Sequence, residues 1–449
     1  MVEYAHDRTR FALPTSELYL LLLSSVLLGY ALMGKGFAYL GFPPLFIGEA
    51  AFLAGVVISL RTGCLVASLT TLPTLLLVTA MAWVLVRTVP FVGVYGFDSL
   101  RDSVIVMYGA FALFVIALLL EDGGRIETLI RYYGTMLASL PAIFLGLWLT
   151  KYWGSYIPRL YGPVPIVDVG VTTVGTHLAG TMVFALIGFR KVSPLWVVVW
   201  LATLALVAST NRGATLAVIM PVGFAMLVLG RFRLILTTVV GAVCIFTALL
   251  VVEATFGEYG EINDSGNSWE RPVSAHQIIE NAKSIIGQSE QETEGTKQWR
   301  LNWWEIIIND TIYGPNFWTG RGFGINLADA DGFASTGSNP RPPTRSPHNA
   351  HMTLLARAGV TGVVLWALIL VSWFGMLMRA LLTAYNHGHK DWVSLFLFIA
   401  CYAAAILINA TFDVVLEGPM QGIWFWCLFG FGVGSVMIYR AQPFDRVHR

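Results

Sequence analysis

Residues 194–230 read PLWVVVWLATLALVASTNRGATLAVIMPVGFAMLVLG, and Arg212 is the one charged residue in the whole stretch. An apolar run of roughly 17–25 residues is long enough to cross a bilayer as a helix. Asn211, which is followed by Arg212, divides the stretch into two such runs, at 194–210 and 212–230. The sequence therefore predicts two transmembrane helices that meet at Asn211.

The composition of the whole chain extends this interpretation. Of 449 residues, 56% are hydrophobic and only 12% are charged, and the mean hydropathy is +0.68. A soluble domain is about one-quarter charged, so these values are typical of a membrane protein. The net charge of +1 and the lack of a long basic run argue against a nucleic-acid partner. The four cysteines lie in apolar runs without a CxxC pair, which argues against a disulfide framework or a cysteine zinc site.

Twelve segments satisfy the length rule for a membrane span. They cover residues 17–34, 42–60, 63–86, 104–120, 130–150, 173–189, 194–210, 212–230, 233–253, 351–378, 392–414 and 418–438. With both termini in the cytoplasm, every inside segment carries at least one basic residue, as the positive-inside rule requires. The same orientation puts residues 254–350 outside the cytoplasm. No small-residue cleavage site follows the first apolar run, so we expect that helix to be retained.

The predicted organisation has three parts. These are nine transmembrane helices in residues 1–253, an extracytoplasmic loop with amphipathic helices in 254–350, and three further transmembrane helices in 351–449. Within the loop, residues 274–287 and 296–311 place apolar side chains at helical spacing, Trp299 and Trp303 among them. Tryptophan is favoured at the membrane interface, so we expect the second of these helices to lie along it.

A candidate general base stands in RPPTRSPHNAHMTLLARA, residues 341–358. Ser346 is a good N-cap and Pro347 suits the first helical position, which predicts a helix from His348 into the membrane. The positive end of the helix dipole disfavours a protonated imidazole there, and a neutral histidine can act as a base. The alternative is an interfacial histidine without a chemical role. His351, one turn on, could form a metal pair with His348, but the helix offers no carboxylate nearby.

Three arginines on the outer side are candidates for binding an anion. Arg212 stands at the edge of the hydrocarbon, where a charge is costly. Arg300 lies among tryptophans in KQWRLNWWEII, and Arg321 lies between glycines in TGRGFGIN, where the backbone can approach a ligand. Each arginine also has a structural alternative. Arg212 could snorkel to the phospholipid headgroups, Arg300 could anchor its helix on them, and Arg321 could stand in a plain tight turn. These guanidinium groups could clamp a phosphate without a metal, and His348 could act as a base beside them.

The order of these motifs resembles the O-antigen ligase and polymerase superfamily. NRGATLA is followed by a long outside loop, by GRGFG and by SPHNAHMTLLARAGVTGVVLW, and TFDVVLEGPMQGIWFW is similar to the closing helices of that family. The motifs occupy about residues 212–365 and 411–426, whereas the layout covers most of the chain. The resemblance implies an all-α polytopic membrane protein of the GT-C-like type. Such a protein has about twelve transmembrane helices and one large extracytoplasmic loop between helices 9 and 10.

The resemblance also implies an activity and a set of site residues. The enzyme would sit in the bacterial inner membrane and transfer a glycan from undecaprenyl pyrophosphate. Its acceptor would be a sugar hydroxyl of lipid A-core in a ligase, or another lipid-linked glycan in a polymerase. The base of the family corresponds to His348, which forms an HN pair with Asn349. The basic positions of the family correspond to Arg212, Arg300, Arg321 and, less closely, Arg87.

The chemistry implied by this resemblance needs neither a metal nor a nucleotide cofactor, because the lipid-linked donor is already activated. A base takes the acceptor proton, arginines stabilise the leaving pyrophosphate, and direct displacement inverts the anomeric centre. We expect the donor, the acceptor and membrane lipids as the binding partners. A polysaccharide polymerase with the same donor stays open. A membrane transporter is the second alternative, although the sequence shows neither repeated halves nor charges near mid-membrane.

Overall fold

The computed structural model describes residues 15–161, 164–256, 275–285, 291–334 and 344–441. The first nine helices are α1 Thr15–Met33, α2 Lys35–Ala38, α3 Ile47–Thr62, α4 Leu65–Ser68, α5 Leu72–Tyr95, α6 Phe97–Met107, α7 Ala110–Glu121, α8 Arg125–Trp153 and α9 Val171–Leu186. The others are α10 Pro194–Thr210, α11 Arg212–Val228, α12 Phe232–Phe256, α13 Ala275–Ile285, α14 Gln291–Ile312, α15 Leu327–Asp331, α16 Ala350–Asn386, α17 Lys390–Ala410 and α18 Pro419–Ala441. Two antiparallel hairpins pair β1 Gly41–Phe42 with β2 Leu45–Phe46 and β3 Arg159–Tyr161 with β4 Val164–Pro165.

Each of the twelve predicted spans overlaps a helix of the structure. Within the described ranges, six helices are long and apolar enough to cross a bilayer, namely α1, α5, α8, α16, α17 and α18. The pair α6 and α7, bent by 42°, makes up to seven. Helices α9, α10 and α11 and residues 236–252 of α12 are apolar but shorter. The chain is therefore a polytopic helical membrane protein, while the total of twelve spans and the side on which the long loop lies stay predictions.

Helices α10 and α11 are separate, as predicted, because Asn211 interrupts the apolar run. Its backbone is extended, and its Oδ1 accepts a hydrogen bond from the backbone N–H of Ala214 at 2.9 Å. Asparagine is a favoured N-cap because this bond satisfies an N–H that the helix leaves open. On the other side of the break, Asn281 Nδ2 donates to the carbonyls of Ala208 and Ser209 at 2.8 and 3.0 Å. Helix α13 therefore covers the end of α10 and satisfies carbonyls there.

The apolar side chains form a main core and a smaller second core. In the main core α7 packs against α18, α9 against α11 and α17, and α5 against α16. The second core joins Trp303 and Ile307 of α14 to Leu327 of α15 and Leu355 of α16. Trp303 and Ile307 are fully buried in it. This face of α14 therefore packs inside the protein, against the first turns of α16 and the short α15, while the position of the helix along the membrane interface stays a prediction.

Helix α16 is bent at Gly359, where another segment replaces its ordinary hydrogen bonds. Gly359 has φ 71° and ψ −171°, a conformation that is essentially restricted to glycine. The N–H of Arg321 donates to the carbonyl of Ala356 at 2.8 Å, and the N–H of Val360 donates to the carbonyl of Phe317 at 2.8 Å. The glycine-rich segment around Arg321 is thereby fixed to the helix that follows His348 in the chain.

Candidate active site

The connection between α17 and α18 is the centre of the candidate site. It comprises residues 411–418, and we name it the TFDVVLEG loop after its sequence. Arg300 of α14 donates from Nη1 to the carbonyl of Phe412 at 3.0 Å. His348 lies before α16, and its Nδ1 is 3.4 Å from Oδ1 of Asp413. Two consecutive residues of one loop therefore bring Arg300 and His348 together from separate parts of the chain.

The first turn of α11 lies against the same loop. Arg212 is the first residue of that helix and is half-buried. At the next position, a β-carbon on Gly213 would lie only 2.6 Å from Cβ of Phe412, so a larger side chain does not fit there. This close approach explains the glycine of the NRG motif by packing. It also places Arg212 beside the segment that Arg300 contacts.

His348 is held in an unusual backbone conformation. Its φ of 52° is in the left-handed region, which few residues other than glycine adopt. The expectation that Ser346 caps the helix and that His348 sits in its first turn is wrong, because Asn349 is the N-cap. The Oδ1 of Asn349 accepts from the N–H groups of His351 and Met352 at 2.9 and 3.2 Å. Asparagine is as good an N-cap as serine. Because Asn349 takes the cap position, α16 starts at Ala350 and His348 lies in the turn before the helix.

Asp413 and His348 form an acid–imidazole pair. The exposed fractions of the two side chains are 24% and 35%, so the pair is accessible without lying open to solvent. Burial raises the pKa of the Asp413 carboxyl, but hydrogen bonds from His348 and from the N–H of Val414 outweigh it and hold the pKa below its ordinary value. An ionised carboxylate that accepts from Nδ1 fixes the proton there. The Nε2 atom of the ring is then the basic nitrogen.

Arg321 is engaged in two ion pairs. Its Nε lies 2.7 Å from Oδ2 of Asp310, and its Nη1 lies 2.5 Å from Oδ1 of Asp331. Only 12% of the side chain is exposed. Burial lowers the pKa of the guanidinium, but the two carboxylates outweigh it and raise the pKa above its ordinary value. Asp331 also accepts from Nε1 of Trp303 at 2.8 Å. These contacts brace the segment between α14 and α16.

The two secondary candidates also make defined contacts. Arg87 of α5 donates from Nε to the carbonyl of Thr319 at 2.9 Å and from Nη2 to the carbonyl of Gly320 at 3.2 Å. It therefore holds the glycine-rich segment from the other side. His351 accepts from Nε1 of Trp366 through its Nδ1 at 3.1 Å, which occupies that nitrogen. In the part of the chain that the structure describes, no cluster of three His, Cys, Asp or Glu side chains is arranged to hold a metal.

A cluster of charged side chains lies beside the site. Arg357 of α16 is almost fully buried, and its Nη2 lies 2.9 Å from Oδ2 of Asp102 in α6. Nη2 of Arg345 lies 3.3 Å from the same oxygen. In the TFDVVLEG loop, Oε1 of Glu417 accepts from Oγ1 of Thr353 at 2.7 Å, and burial raises the pKa of this carboxyl. Charged and polar groups therefore tie α6, α16 and the loop together.

Sequence reasoning missed Asp413 and Glu417. Both stand in the motif that resembles the closing helices of the family, between two apolar runs. Carboxylates at such a position are costly unless they are paired, which was the available signal. Their partners His348 and Thr353 are 65 and 64 positions away along the chain. Only the fold brings these groups into contact.

A comparison with known proteins finds a family that part of the chain resembles. Residues 197–367 match the model of the O-antigen ligase family. The matched range contains four of the predicted site residues, Arg212, Arg300, Arg321 and His348. No curated protein matches the chain significantly. The resemblance to the O-antigen ligase superfamily is therefore confirmed over residues 197–367.

Proposed function

We propose that the protein is an O-antigen ligase-type glycosyltransferase. It would move a glycan from undecaprenyl pyrophosphate to a sugar hydroxyl of lipid A-core. The family match supports ligase or polymerase activity in general. The observation that carries the finer proposal is the pairing of His348 with Asp413, directly beside the contact of Arg300 with Phe412. A base beside a guanidinium suits a reaction in which a hydroxyl loses its proton and a diphosphate leaves.

In this proposal His348 is the general base. Asp413 orients the imidazole through Nδ1, and Nε2 accepts the proton of the acceptor hydroxyl as its oxygen attacks the anomeric carbon. The bond between the anomeric carbon and the diphosphate oxygen breaks as the new glycosidic bond forms. The electron pair of the broken bond stays on the diphosphate, and the configuration at the anomeric carbon inverts. No nucleotide is consumed, because the donor is already activated.

Arg212 and Arg300 are the proposed binding groups for the diphosphate. Negative charge on the diphosphate grows as the glycosidic bond breaks, so fixed guanidinium groups stabilise the transition state more than the ground state. Arg321 has a different proposed role, because Asp310 and Asp331 already neutralise its charge. It positions the outer segment rather than clamping the donor.

The proposed location is the bacterial inner membrane, with both termini in the cytoplasm and residues 254–350 in the periplasm. The distribution of basic residues between the apolar runs supports this orientation. Arg300 and His348 both belong to that central region of the chain, and both contact the TFDVVLEG loop. The loop therefore lies on the same side as residues 254–350, which is where the proposed donor and acceptor would meet.

Reconstitution of the pure protein in liposomes tests the proposed activity. One sample contains O-antigen on undecaprenyl pyrophosphate together with lipid A-core, and a second contains the donor alone. A ligase gives a shifted lipid A-core band in the first sample and leaves the second unchanged. A ladder of products from the donor alone would identify a polymerase that uses the same residues. If neither sample forms a glycosidic bond, the proposed donor is wrong.

A further inference from the structure

We propose that Trp299 is the platform for the acceptor sugar, whose ring it binds beside His348. This inference rests on the proposed function and adds a binding subsite to it. Trp299 belongs to α14, and the centroid of its ring lies 6.1 Å from that of the His348 imidazole, with the two planes tilted by 56°. A sugar in contact with this indole therefore lies within reach of the proposed base.

The indole of Trp299 is held rigidly on its inner side. It makes edge contacts with Trp303 and Phe333, with ring centroids 5.1 and 5.5 Å away. Trp303 and Phe333 are themselves stacked, 4.9 Å apart and parallel within 2°. Trp303 is fully buried and donates its N–H to Asp331, the carboxylate that Arg321 also holds. The ion pairs of Arg321 thus fix the aromatic cluster on which Trp299 rests.

Trp299 differs from the other two tryptophans of the helix. Trp303 is buried and its N–H is used, and the N–H of Trp304 donates to the carbonyl of Pro347 at 3.0 Å. Trp299 is only partly buried. Its N–H makes no hydrogen bond to any residue that the structure describes. The indole of Trp299 is therefore packed against the aromatic cluster on one side and partly exposed on the other, and its N–H can donate to a ligand.

The chemistry of this surface matches a pyranose ring. One face of a sugar presents C–H groups, which pack on an indole with carbon atoms about 3.5–4.0 Å apart. The rim of the sugar presents hydroxyl groups, which can accept from the indole N–H. The next residue, Arg300, projects roughly 100° further around the helix and contacts Phe412. Helix α14 therefore separates a sugar-binding group beside the base from a group that would hold the diphosphate.

Transfer kinetics with Trp299→Ala, Trp299→Phe and Trp318→Ala provide the first test. Trp318 is a matched control, because its side chain is 68% exposed. We expect Trp299→Ala to raise KM for lipid A-core about tenfold, while kcat and the KM for the donor change less than about threefold. Trp299→Phe should recover most of the affinity, and Trp318→Ala should resemble the wild type. A loss confined to kcat, or an unchanged acceptor KM, would overturn the platform.

A binding measurement separates this subsite from the proposed reaction. Core oligosaccharide released from lipid A-core by mild acid is added to His348→Ala protein in nanodiscs, and saturation-transfer NMR detects sugar contacts. We expect a saturation-transfer signal from the sugar. It should disappear when Trp299→Ala is combined with His348→Ala, and it should persist when Trp318→Ala is combined with it. If the signal does not depend on Trp299, the platform is wrong even where transfer is observed. If it depends on Trp299 and the wild type transfers nothing, the subsite stands and the proposed reaction fails.

Discussion

His348 owes its position to its neighbours rather than to a helix of its own. Asn349 takes the cap of α16, which leaves His348 in a left-handed turn, and Asp413 accepts from its ring. Strained residues of this kind persist only where the surroundings over-determine them, and they are common at active sites. The contacts around His348 therefore set its orientation, and changing those contacts should change its chemistry.

Replacing Asp413 by Asn removes the negative charge beside His348 and keeps the size of the side chain. We expect the transfer rate at neutral pH to fall about tenfold or more, which equals about 1.4 kcal/mol of transition-state stabilisation. The wild-type carboxylate is ionised throughout this range, because its pKa lies below its ordinary value. The variant loses the carboxylate that orients the ring of His348, so the loss should appear in kcat rather than in the KM of either substrate. A wild-type kcat in folded Asp413→Asn protein would mean that Asp413 does not act on His348.

Arg300→Lys keeps the positive charge near Phe412 and loses the planar fork that binds phosphate oxygens. We expect kcat to fall roughly ten- to a hundredfold, because the missing contact matters most as the diphosphate leaves. Arg379→Lys, an exposed position of α16, is the matched control and should behave as the wild type. A thermal melt accompanies both, since Arg300 also supports the loop. A wild-type kcat in a normally folded Arg300→Lys variant would show that Arg300 does not bind the leaving diphosphate.

The residue types of the site were predictable, but their pairing was not. The sequence predicts His348, Arg212 and Arg300 as site residues. In the fold, His348, Arg300 and Gly213, the neighbour of Arg212, lie against the TFDVVLEG loop. Asp413 stands within the TFDVVLEG motif, but no local pattern links it to a histidine 65 positions earlier. Arg321 looked like the other loop arginines. Its two carboxylate partners become visible only in three dimensions.

Helix α16 shows how one element positions the site. Its first turn is capped by Asn349, and its break at Gly359 holds the segment around Arg321. A β-carbon at Gly359 would lie 2.6 Å from the backbone nitrogen of Gly320, so the two segments approach as closely as glycine permits. The AGVTG sequence predicted an apolar helix here. It did not predict the break, because hydrophobic periodicity carries no signal for a segment that inserts from elsewhere.

Gly359→Ala should destabilise the protein. The backbone conformation alone costs about 1–3 kcal/mol for a residue with a β-carbon, and the contact with Gly320 adds to that cost. Gly375→Ala in the same helix is the control, since it has open space around it and a helical interior favours alanine by up to about 1 kcal/mol. Thermal unfolding in detergent should separate the two variants. If Gly359→Ala melts no earlier than Gly375→Ala, the break is not a fixed feature of the helix.

At the scale of the whole molecule, buried charges join parts that are distant in sequence. Asp102 of α6 meets Arg357 of α16 and Arg345 from the segment before it. Hydropathy predicted twelve spans, and each of them overlaps a helix of the structure. It could not predict which helices pack together. It also could not predict that Trp303 and Ile307 pack against α16.

Asp102→Asn should be far more damaging than Asp98→Asn. The first leaves the charge of Arg357 buried without its carboxylate, which costs about 3–5 kcal/mol. The side chain of Asp98 is 40% exposed, so its ion pairs should contribute less than about 1 kcal/mol. Thermal melts of both variants make the comparison, and a double variant that adds Arg357→Met should recover stability over Asp102→Asn alone. Equal melting of the two single variants would show that the buried pair does not join α6 to α16.

The most direct test of His348 as the general base is single-turnover transfer by His348→Ala in liposomes, with lipid-linked glycan and lipid A-core at saturating levels. His276→Ala, which alters an exposed histidine of α13, is the matched control. We expect His348→Ala to lower the rate of glycosidic bond formation by about 10²–10⁴-fold while the protein stays folded, since this is the range supplied by a positioned base. The control should react at the wild-type rate. If folded His348→Ala protein transfers glycan as fast as the control, His348 is not the base and the reaction centre lies elsewhere.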